Sequence, residues 1–261
     1  MSPRSRTSPS STVPTGSPTR RIAAVAVALA AVVLLVIAIA QIVSSTSTEP
    51  EPDSEPSAAT GQYANNDMYR DLATLARRDP ADPMALGSPT APVVMIEYSD
   101  LQCPYCRQFA QTTEPELVAK YVDRGLLRIE WRNLAFFGEE SERAARAGWA
   151  AGQQGRFWEL HELMFENAPA KKNTGVFTAD RLTEWAGLAG VGDLDRFRAD
   201  LDSDAARAAV TADITEAVGI GVNSTPAFLI NGRPILGARP VEQMIAVIEA
   251  GLLDEAPGGG Q

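Results

Sequence analysis

The four residues Cys103-Pro104-Tyr105-Cys106 carry the prediction of the fold. They hold both cysteines of the 261-residue chain, and the apolar segment 93–98 leads up to them. The apolar residues that recur at roughly helical spacing after the motif are Phe109, Leu117 and Tyr121. The pattern therefore predicts that the two thiols lie where a β-strand ends and an α-helix begins.

The first turn of that helix predicts that one thiol is unusually acidic. With Cys103 as the N-cap residue, Pro104 takes the first helical position, where its missing N–H costs nothing, and Cys106 takes the third. A thiolate on Cys103 would accept hydrogen bonds from the free N–H groups of that turn and be favoured by the helix dipole. We therefore expect Cys103 to be the more exposed and more acidic cysteine, with a pKa of ~3.5–7.5, and the disulfide to be oxidising.

Other uses of the cysteine pair fit the sequence less well. A structural disulfide between residues three positions apart would close a very small loop and gain little entropy. A structural zinc ion needs four ligands, whereas the chain offers two thiols and one histidine. The pair is therefore interpreted as a redox centre, and neither a metal nor another cofactor is predicted.

Residues 1–66 predict a membrane anchor and a linker. Residues 1–21 are rich in Ser, Thr, Pro and Arg without an acid, which predicts a disordered cytoplasmic tail. Residues 22–43 are apolar except for Gln41 and long enough to span a bilayer of ~30 Å as a signal anchor. The alternative is a signal peptide cleaved after Ala40, because residues 38–40 fit an A-x-A site. Residues 44–66 predict a flexible acidic linker.

The remaining chain is predicted to be a single extracytoplasmic domain. Residues 67–253 suffice for a substantial core, and residues 254–261 are predicted to be a disordered tail. The chain has 33 acidic residues against 23 Lys and Arg, which argues against a nucleic-acid partner. An exported domain whose cysteines all lie in one motif uses them for reaction and not for stability. The predicted localisation is the cell membrane, with one span and a cytoplasmic N-terminus.

Hydrophobic patterns predict the elements of this domain. Residues 93–98 are apolar on both faces, as in a central strand, whereas residues 126–134 alternate apolar and charged and predict a half-exposed strand. A short helix is expected over residues 69–77, and Pro115 predicts a break between Gln111 and Glu114. Between the strand regions, residues 139–219 predict an all-helical insertion with helices at 141–153, 156–167, 178–188, 193–201 and 203–218.

The last part of the domain is predicted to be a hairpin and a helix. Two short apolar runs flank Asn231-Gly232, which favours a type I′ turn, and residues 241–252 predict a closing amphipathic helix. Glu97 interrupts the central strand. It is interpreted either as an acid that reaches water at the strand end or as a buried acid near Cys103 that relays a proton; the second is the preferred hypothesis. His161 is predicted to be a packed or half-packed helix residue among its aromatic neighbours; the alternative is a redox-linked histidine at a surface for a partner.

Three separated segments resemble the DsbA-like thiol:disulfide oxidoreductases of the thioredoxin superfamily. They are residues 97–106 (EYSDLQCPYC), 157–165 (FWELHELMF) and 221–232 (GVNSTPAFLING), and the similarity covers about residues 86–252. The resemblance implies an α/β fold: a thioredoxin fold with an inserted all-helical domain, here preceded by one N-terminal transmembrane helix.

The same resemblance implies roles for individual residues. Cys103 would be the nucleophile and Cys106 the cysteine that resolves the mixed disulfide. Pro226 would be cis, with Thr225 beside the disulfide, and Glu97 would match a buried acid of the family. A Pro-Tyr pair such as Pro104-Tyr105 also occurs in glutaredoxins, so the direction of electron flow stays open.

We therefore expect a membrane-anchored oxidoreductase that forms disulfides in exported proteins with free cysteines and needs no cofactor. The resemblance also implies a membrane protein that reoxidises the cysteine pair. The first alternative is a disulfide reductase or isomerase fed by a membrane electron donor. The second is a tethered thioredoxin-fold module that binds unfolded chains as a chaperone.

Overall fold

A mixed β-sheet organises residues 67–254, the part of the chain that the computed structural model describes. Its strand order is β1-β3-β2-β4-β5. The strands are β1 (Ala85–Leu86), β2 (Val93–Ser99), β3 (Leu127–Asn133), β4 (Ala227–Ile230) and β5 (Arg233–Leu236). β2 runs parallel to β3 and antiparallel to β4, so Glu97 lies between Trp131 and Phe228. Every residue of β2 is buried, as its apolar pattern predicted.

Helices cover both faces of the sheet. They are α1 (67–73), α2 (Pro104–Thr112), α3 (Glu114–Leu117), α4 (Glu139–Gly152), α5 (Phe157–Asn167), α6 (Ala179–Leu188), α7 (Leu194–Leu201), α8 (Asp204–Gly219) and α9 (Val241–Asp254), with a π-helical turn at Val118–Val122. Helices α4–α8 all lie between β3 and β4 in the chain. This is the thioredoxin-like α/β fold with the added helical content that the sequence predicted.

Local sequence signals account for the helix boundaries. The side chains of Thr178, Asp193 and Ser203 each accept a hydrogen bond from the backbone N–H three residues on, and α6, α7 and α8 begin directly after them. The predicted break before Pro115 is also present, because α2 ends at Thr112 and α3 starts again at Glu114.

The prediction of a half-exposed strand at residues 126–134 is wrong, because β3 is buried on both faces. Its charged face carries Arg128, Glu130 and Arg132, which are 2%, 0% and 0% exposed. Glu130 accepts hydrogen bonds from Arg128 Nε at 3.0 Å and Arg132 Nη2 at 2.9 Å. Helix α8 contributes Glu216 to the same network, 3.2 Å from Arg132 Nε. Apolar and charged residues alternate along β3, but its charged side chains are paired with one another inside the protein and do not face water.

The helix predicted over residues 69–77 ends earlier, at residue 73. The backbone N–H groups of Arg77 and Arg78 donate to the carboxylate of Glu130 at 2.9 and 2.8 Å. Arg78 takes a φ of 47°. The buried carboxylate thus captures donors that a longer helix would have used internally. β1, a strand of two residues beside β3, was not predicted.

The hairpin between β4 and β5 has the predicted turn. Asn231 and Gly232 have φ values of 44° and 79°, the positive values that a type I′ turn requires. A Cβ atom on Gly232 would collide with the Tyr69 carbonyl of α1. Only glycine therefore lets α1 pack this closely on the turn.

The predicted tail, membrane anchor and linker (residues 1–66) and the C-terminal tail from residue 255 lie outside the described residues. Within residues 67–254, no helix has the length and apolar character needed to cross a membrane.

Candidate active site

The two cysteines lie at the predicted junction of strand and helix. Cys103 is the N-cap residue of α2, with extended φ and ψ of −77° and 122°, and Pro104 opens the helix. The Cys103 carbonyl accepts from Arg107 N at 3.0 Å, and Cys106 lies in the first helical turn. Both thiols are reduced, and they are 4% and 0% exposed, respectively. Cys103 is thus the more exposed cysteine by a small margin only.

The two thiols differ sharply in acidity. The pKa of Cys103 is lowered to about 5, mainly because the Cys106 thiol donates a hydrogen bond to its sulfur. Burial opposes this effect, and the Thr225 hydroxyl and the backbone N–H groups of Cys106 and Tyr105 add smaller stabilisation. The pKa of Cys106 is raised well above its ordinary value by burial and by the neighbouring Cys103. The direction agrees with the prediction, but the neighbouring thiol contributes more than the helix cap.

The segment before β4 brings Thr225 against Cys103. The Cys103 thiol donates to the Thr225 carbonyl, with a sulfur–oxygen distance of 3.4 Å. The Thr225–Pro226 peptide bond is cis, as the resemblance implied. The Thr225 hydroxyl is buried and has no hydrogen-bond partner next to the thiol. A thiolate at Cys103 can accept from this hydroxyl, which explains why Thr225 lowers the pKa of that cysteine.

The two residues between the cysteines are exposed, although both sulfur atoms are buried. Pro104 and Tyr105 both face solvent, and 64% of Tyr105 is exposed. A molecule that approaches Cys103 from solvent therefore meets an aromatic ring and a proline ring. These are the residues that the sequence placed between the cysteines.

Glu97 is fully buried in the centre of β2, and neither carboxyl oxygen has a hydrogen-bond partner. Burial raises its pKa to about 8, and the nearby Ser99 hydroxyl opposes the shift. The same hydroxyl lowers the pKa of Cys106, although it makes no hydrogen bond of normal geometry. Glu97 also raises the pKa of the buried Glu114. The Ser99 hydroxyl thus affects the acidity of both Glu97 and Cys106; Glu97 is buried, as the preferred hypothesis required, and its part in proton transfer stays a prediction.

Sequence reasoning missed Asp100, which fixes the loop before the motif. Its carboxylate accepts from Gln102 N at 2.7 Å, Ser141 Oγ at 2.8 Å and Phe136 N at 2.8 Å. Burial is the main cause that raises its pKa, and Cys103 raises it further. An Asp two residues before a backbone donor is a typical Asx-turn signal. Nothing local, however, indicates the bonds to Ser141 and Phe136.

His161 is packed, as predicted. It is 3% exposed, and its ring lies 4.9 Å from Trp131 and 4.8 Å from Phe165 between centroids. Burial lowers its pKa to about 3, so it is neutral at physiological pH. Over the described range 67–254, no three His, Cys, Asp or Glu side chains are grouped so that they could hold a metal ion.

Comparisons with known proteins agree with this fold and site. A family model described as thioredoxin matches residues 80–250. The chain is 32% identical over 153 residues to a protein named probable disulfide bond formation protein D from Bacillus cereus, covering 57% of this chain and 69% of that protein. The crystal structure of oxidised BdbD from Bacillus subtilis matches with a TM-score of 0.62 and 25% identity, covering 66% of this chain and 93% of that one.

A longer protein also matches. The chain is 33% identical over 172 residues to Na⁺/H⁺ antiporter NhaA 3 of Salinispora tropica. That match covers 65% of this chain and 25% of the antiporter, so the chain spans about a quarter of that relative's length.

Proposed function

Because the chain belongs to the thioredoxin family and, within it, to the DsbA-like thiol:disulfide oxidoreductases, we propose that it forms disulfide bonds in exported proteins. The observation that carries this proposal is the unequal acidity of the two thiols. Reduction of the Cys103–Cys106 disulfide yields a thiolate at Cys103 with a pKa of about 5 and a protonated Cys106. A disulfide whose reduced form is stabilised in this way is a strong oxidant.

In the proposed reaction the disulfide takes two electrons from a pair of substrate thiols. A substrate thiolate attacks the Cys103 sulfur and forms a mixed disulfide, while Cys106 leaves with the electron pair of the broken bond and takes up a proton. The second substrate thiolate attacks the substrate sulfur of the mixed disulfide and expels Cys103 as a thiolate. The substrate leaves oxidised, and the second proton goes to solvent.

The geometry around Thr225 supports a broad substrate range. Its carbonyl is 3.4 Å from the Cys103 sulfur, directly before β4. An extended substrate segment that pairs with this backbone would align its cysteine with Cys103 without being read through its side chains. The exposed ring of Tyr105 would contact the same segment.

Glu97 is proposed to exchange the proton of Cys106. Because its pKa is about 8, Glu97 is protonated in most protein molecules at neutral pH. It can therefore supply the proton that the Cys106 thiolate needs when it leaves. Ser99 lies beside both groups and would connect them.

We further propose that residues 22–43 anchor the protein in the cell membrane, with the catalytic domain outside the cytoplasm. The arginines before the apolar run and its length support this location. Reoxidation of the pair would then fall to a membrane protein. Mass spectrometry of the protein from membranes tests the anchor, because a mature N-terminus at Gln41 would show cleavage and release.

The experiment that tests the function is turnover of the purified full chain on a reduced, unfolded secretory protein, with Cys103→Ser as control. Wild type should restore the native disulfides of the substrate and the variant should not. The reduction potential should lie well above that of thioredoxin, about −270 mV. A potential near that value would favour the reductase alternative, and substrate binding without turnover would favour the chaperone.

A further inference from the structure

A groove with a volume of about 460 Å³ lies between the α2–α3 region and α5. Four acidic residues line it, and we call it the acidic groove: Glu114, Asp123, Glu162 and Glu166. Its walls also carry the aromatic rings of Trp158 and Phe165. The size and the mixture of apolar wall and few polar groups are those of a small-ligand site.

Within the described residues, the acidic side chains of the groove have no basic partner. No Lys or Arg lines it, and among residues 67–254 none of the four acids forms an ion pair. Glu162 and Glu166 are four apart on α5, where like charges repel. Arg107 donates to Gln111 Oε1 at 3.3 Å and to the Ala168 carbonyl at 2.6 Å, and it forms no ion pair with an acid of the groove.

The groove also has buried polar groups without partners. Glu114 and His161 line it, and they are only 7% and 3% exposed. Glu114 Oε2, His161 Nε2 and Trp158 Nε1 all lack a hydrogen bond. Such groups are costly in a folded protein unless a partner meets them. An ionised Glu114 oxygen can only accept hydrogen bonds, so this second observation indicates a ligand with hydrogen-bond donors; the Trp158 N–H is itself a donor and would stay without a partner.

We propose that the acidic groove binds a small aliphatic ammonium compound, such as a linear diamine. One ammonium group would donate to the Glu114 carboxylate, and the methylene chain would lie along Trp158 and Phe165. The second ammonium group would face Glu162 and Glu166 at the open side. A metal ion is a poorer occupant, because in the described part of the chain no three such ligands are grouped for one.

Binding of a cation has a measurable consequence for protonation. Burial raises the pKa of Glu114 well above its ordinary value, and the charges of Glu97 on β2 and Glu162 on α5 raise it further. The other facing groups are Asp123, Glu166 and the neutral His161. A cation beside Glu114 favours its ionised form, so binding should release a proton to the buffer.

Calorimetric titration of the purified full chain with 1,5-diaminopentane at pH 7 tests the proposal. Buffers with different heats of ionisation reveal the proton release. Glu114→Gln should weaken binding about tenfold or more and abolish the release. Glu162→Gln changes an exposed residue and should weaken binding without affecting folding. It therefore tests the groove even if Glu114→Gln fails to fold. Glu116→Gln lies on α3 outside the groove and is the matched control.

The expected result is saturable binding of one diamine, weakened in the two groove variants and unchanged in Glu116→Gln, with no binding of uncharged 1,5-pentanediol. Absence of binding would overturn the proposal. Equal weakening in all three variants would also overturn it, because it would show a general response to the acidic surface. Binding of a tetralysine peptide but not of the diamine would replace the small ligand by a protein partner and would equally contradict it.

Discussion

Replacing Thr225 with valine tests the origin of the low pKa of Cys103. Valine keeps the shape of threonine but removes the hydroxyl, which is buried, unpartnered and beside the Cys103 sulfur. A hydrogen bond to a charged group contributes about 1.5–3 kcal/mol. Because one pKa unit corresponds to about 1.4 kcal/mol, the pKa of Cys103 should rise by about 1 to 2 units from its value of about 5.

The same substitution should make the disulfide less oxidising. Loss of thiolate stabilisation disfavours the reduced form, and about 1.4 kcal/mol corresponds to about 30 mV for a two-electron couple. The reduction potential should therefore fall by about 30 to 60 mV. The rate of alkylation of Cys103 against pH gives the pKa, and equilibration with glutathione gives the potential.

Thr225→Ser is the matched control, because it keeps the hydroxyl and should change both quantities little. The reasoning is refuted if valine leaves the pKa and the potential unchanged. It is also refuted if serine and valine shift them equally, since packing of the side chain would then be the cause.

Three further substitutions test other parts of the site. Cys106→Ser should accumulate mixed disulfides on non-reducing gels because the resolving thiol is absent, whereas Cys103→Ser should show none. Glu97→Gln should flatten the pH dependence of the unfolding free energy of the oxidised protein, measured by chemical denaturation. The raised pKa of Glu97 stabilises the fold fully below a pH of about 4.5, and this stabilisation is lost as the pH rises through about 8. Between these values the unfolding free energy should fall by up to ~1.4 kcal/mol per pH unit. An unchanged slope in Glu97→Gln would show that Glu97 does not titrate in this range. Asp100→Asn leaves one acceptor oxygen for three donors, so thermal denaturation should show that the unfolding free energy falls by about 1–3 kcal/mol. The exposed control Asp180→Asn should not show this loss. The pKa of Cys103 should also fall in Asp100→Asn, because Asp100 and the thiolate repel.

The parts of the site that were predictable are encoded locally. The helix cap at Cys103 follows from four consecutive residues, and the turn at Asn231-Gly232 follows from two. The contact between Thr225 and Cys103 joins positions more than a hundred residues apart, and only the resemblance to a family indicated it.

The features that were missed depend on distant partners. Arg128 and Glu130 have the alternation of a solvated strand face, and nothing near them indicates that α8 covers it. The role of Asp100 likewise depends on Ser141, which lies on α4, 41 positions further along the chain. The same alternation of apolar and charged residues therefore fits a buried strand or an exposed one, and only the partners of the charged side chains distinguish the two.

The contact between the two thiols has a consequence for oxidative damage. A thiolate with a low pKa reacts with peroxide and becomes a sulfenic acid. In many proteins that step leads on to irreversible sulfinic acid, but here the Cys106 thiol is the neighbour that lowers the pKa of Cys103 most. It can displace water from the sulfenic acid and close the disulfide, which is the form that oxidises substrates. Peroxide that reaches the site should therefore restore the oxidising disulfide and should not inactivate the protein.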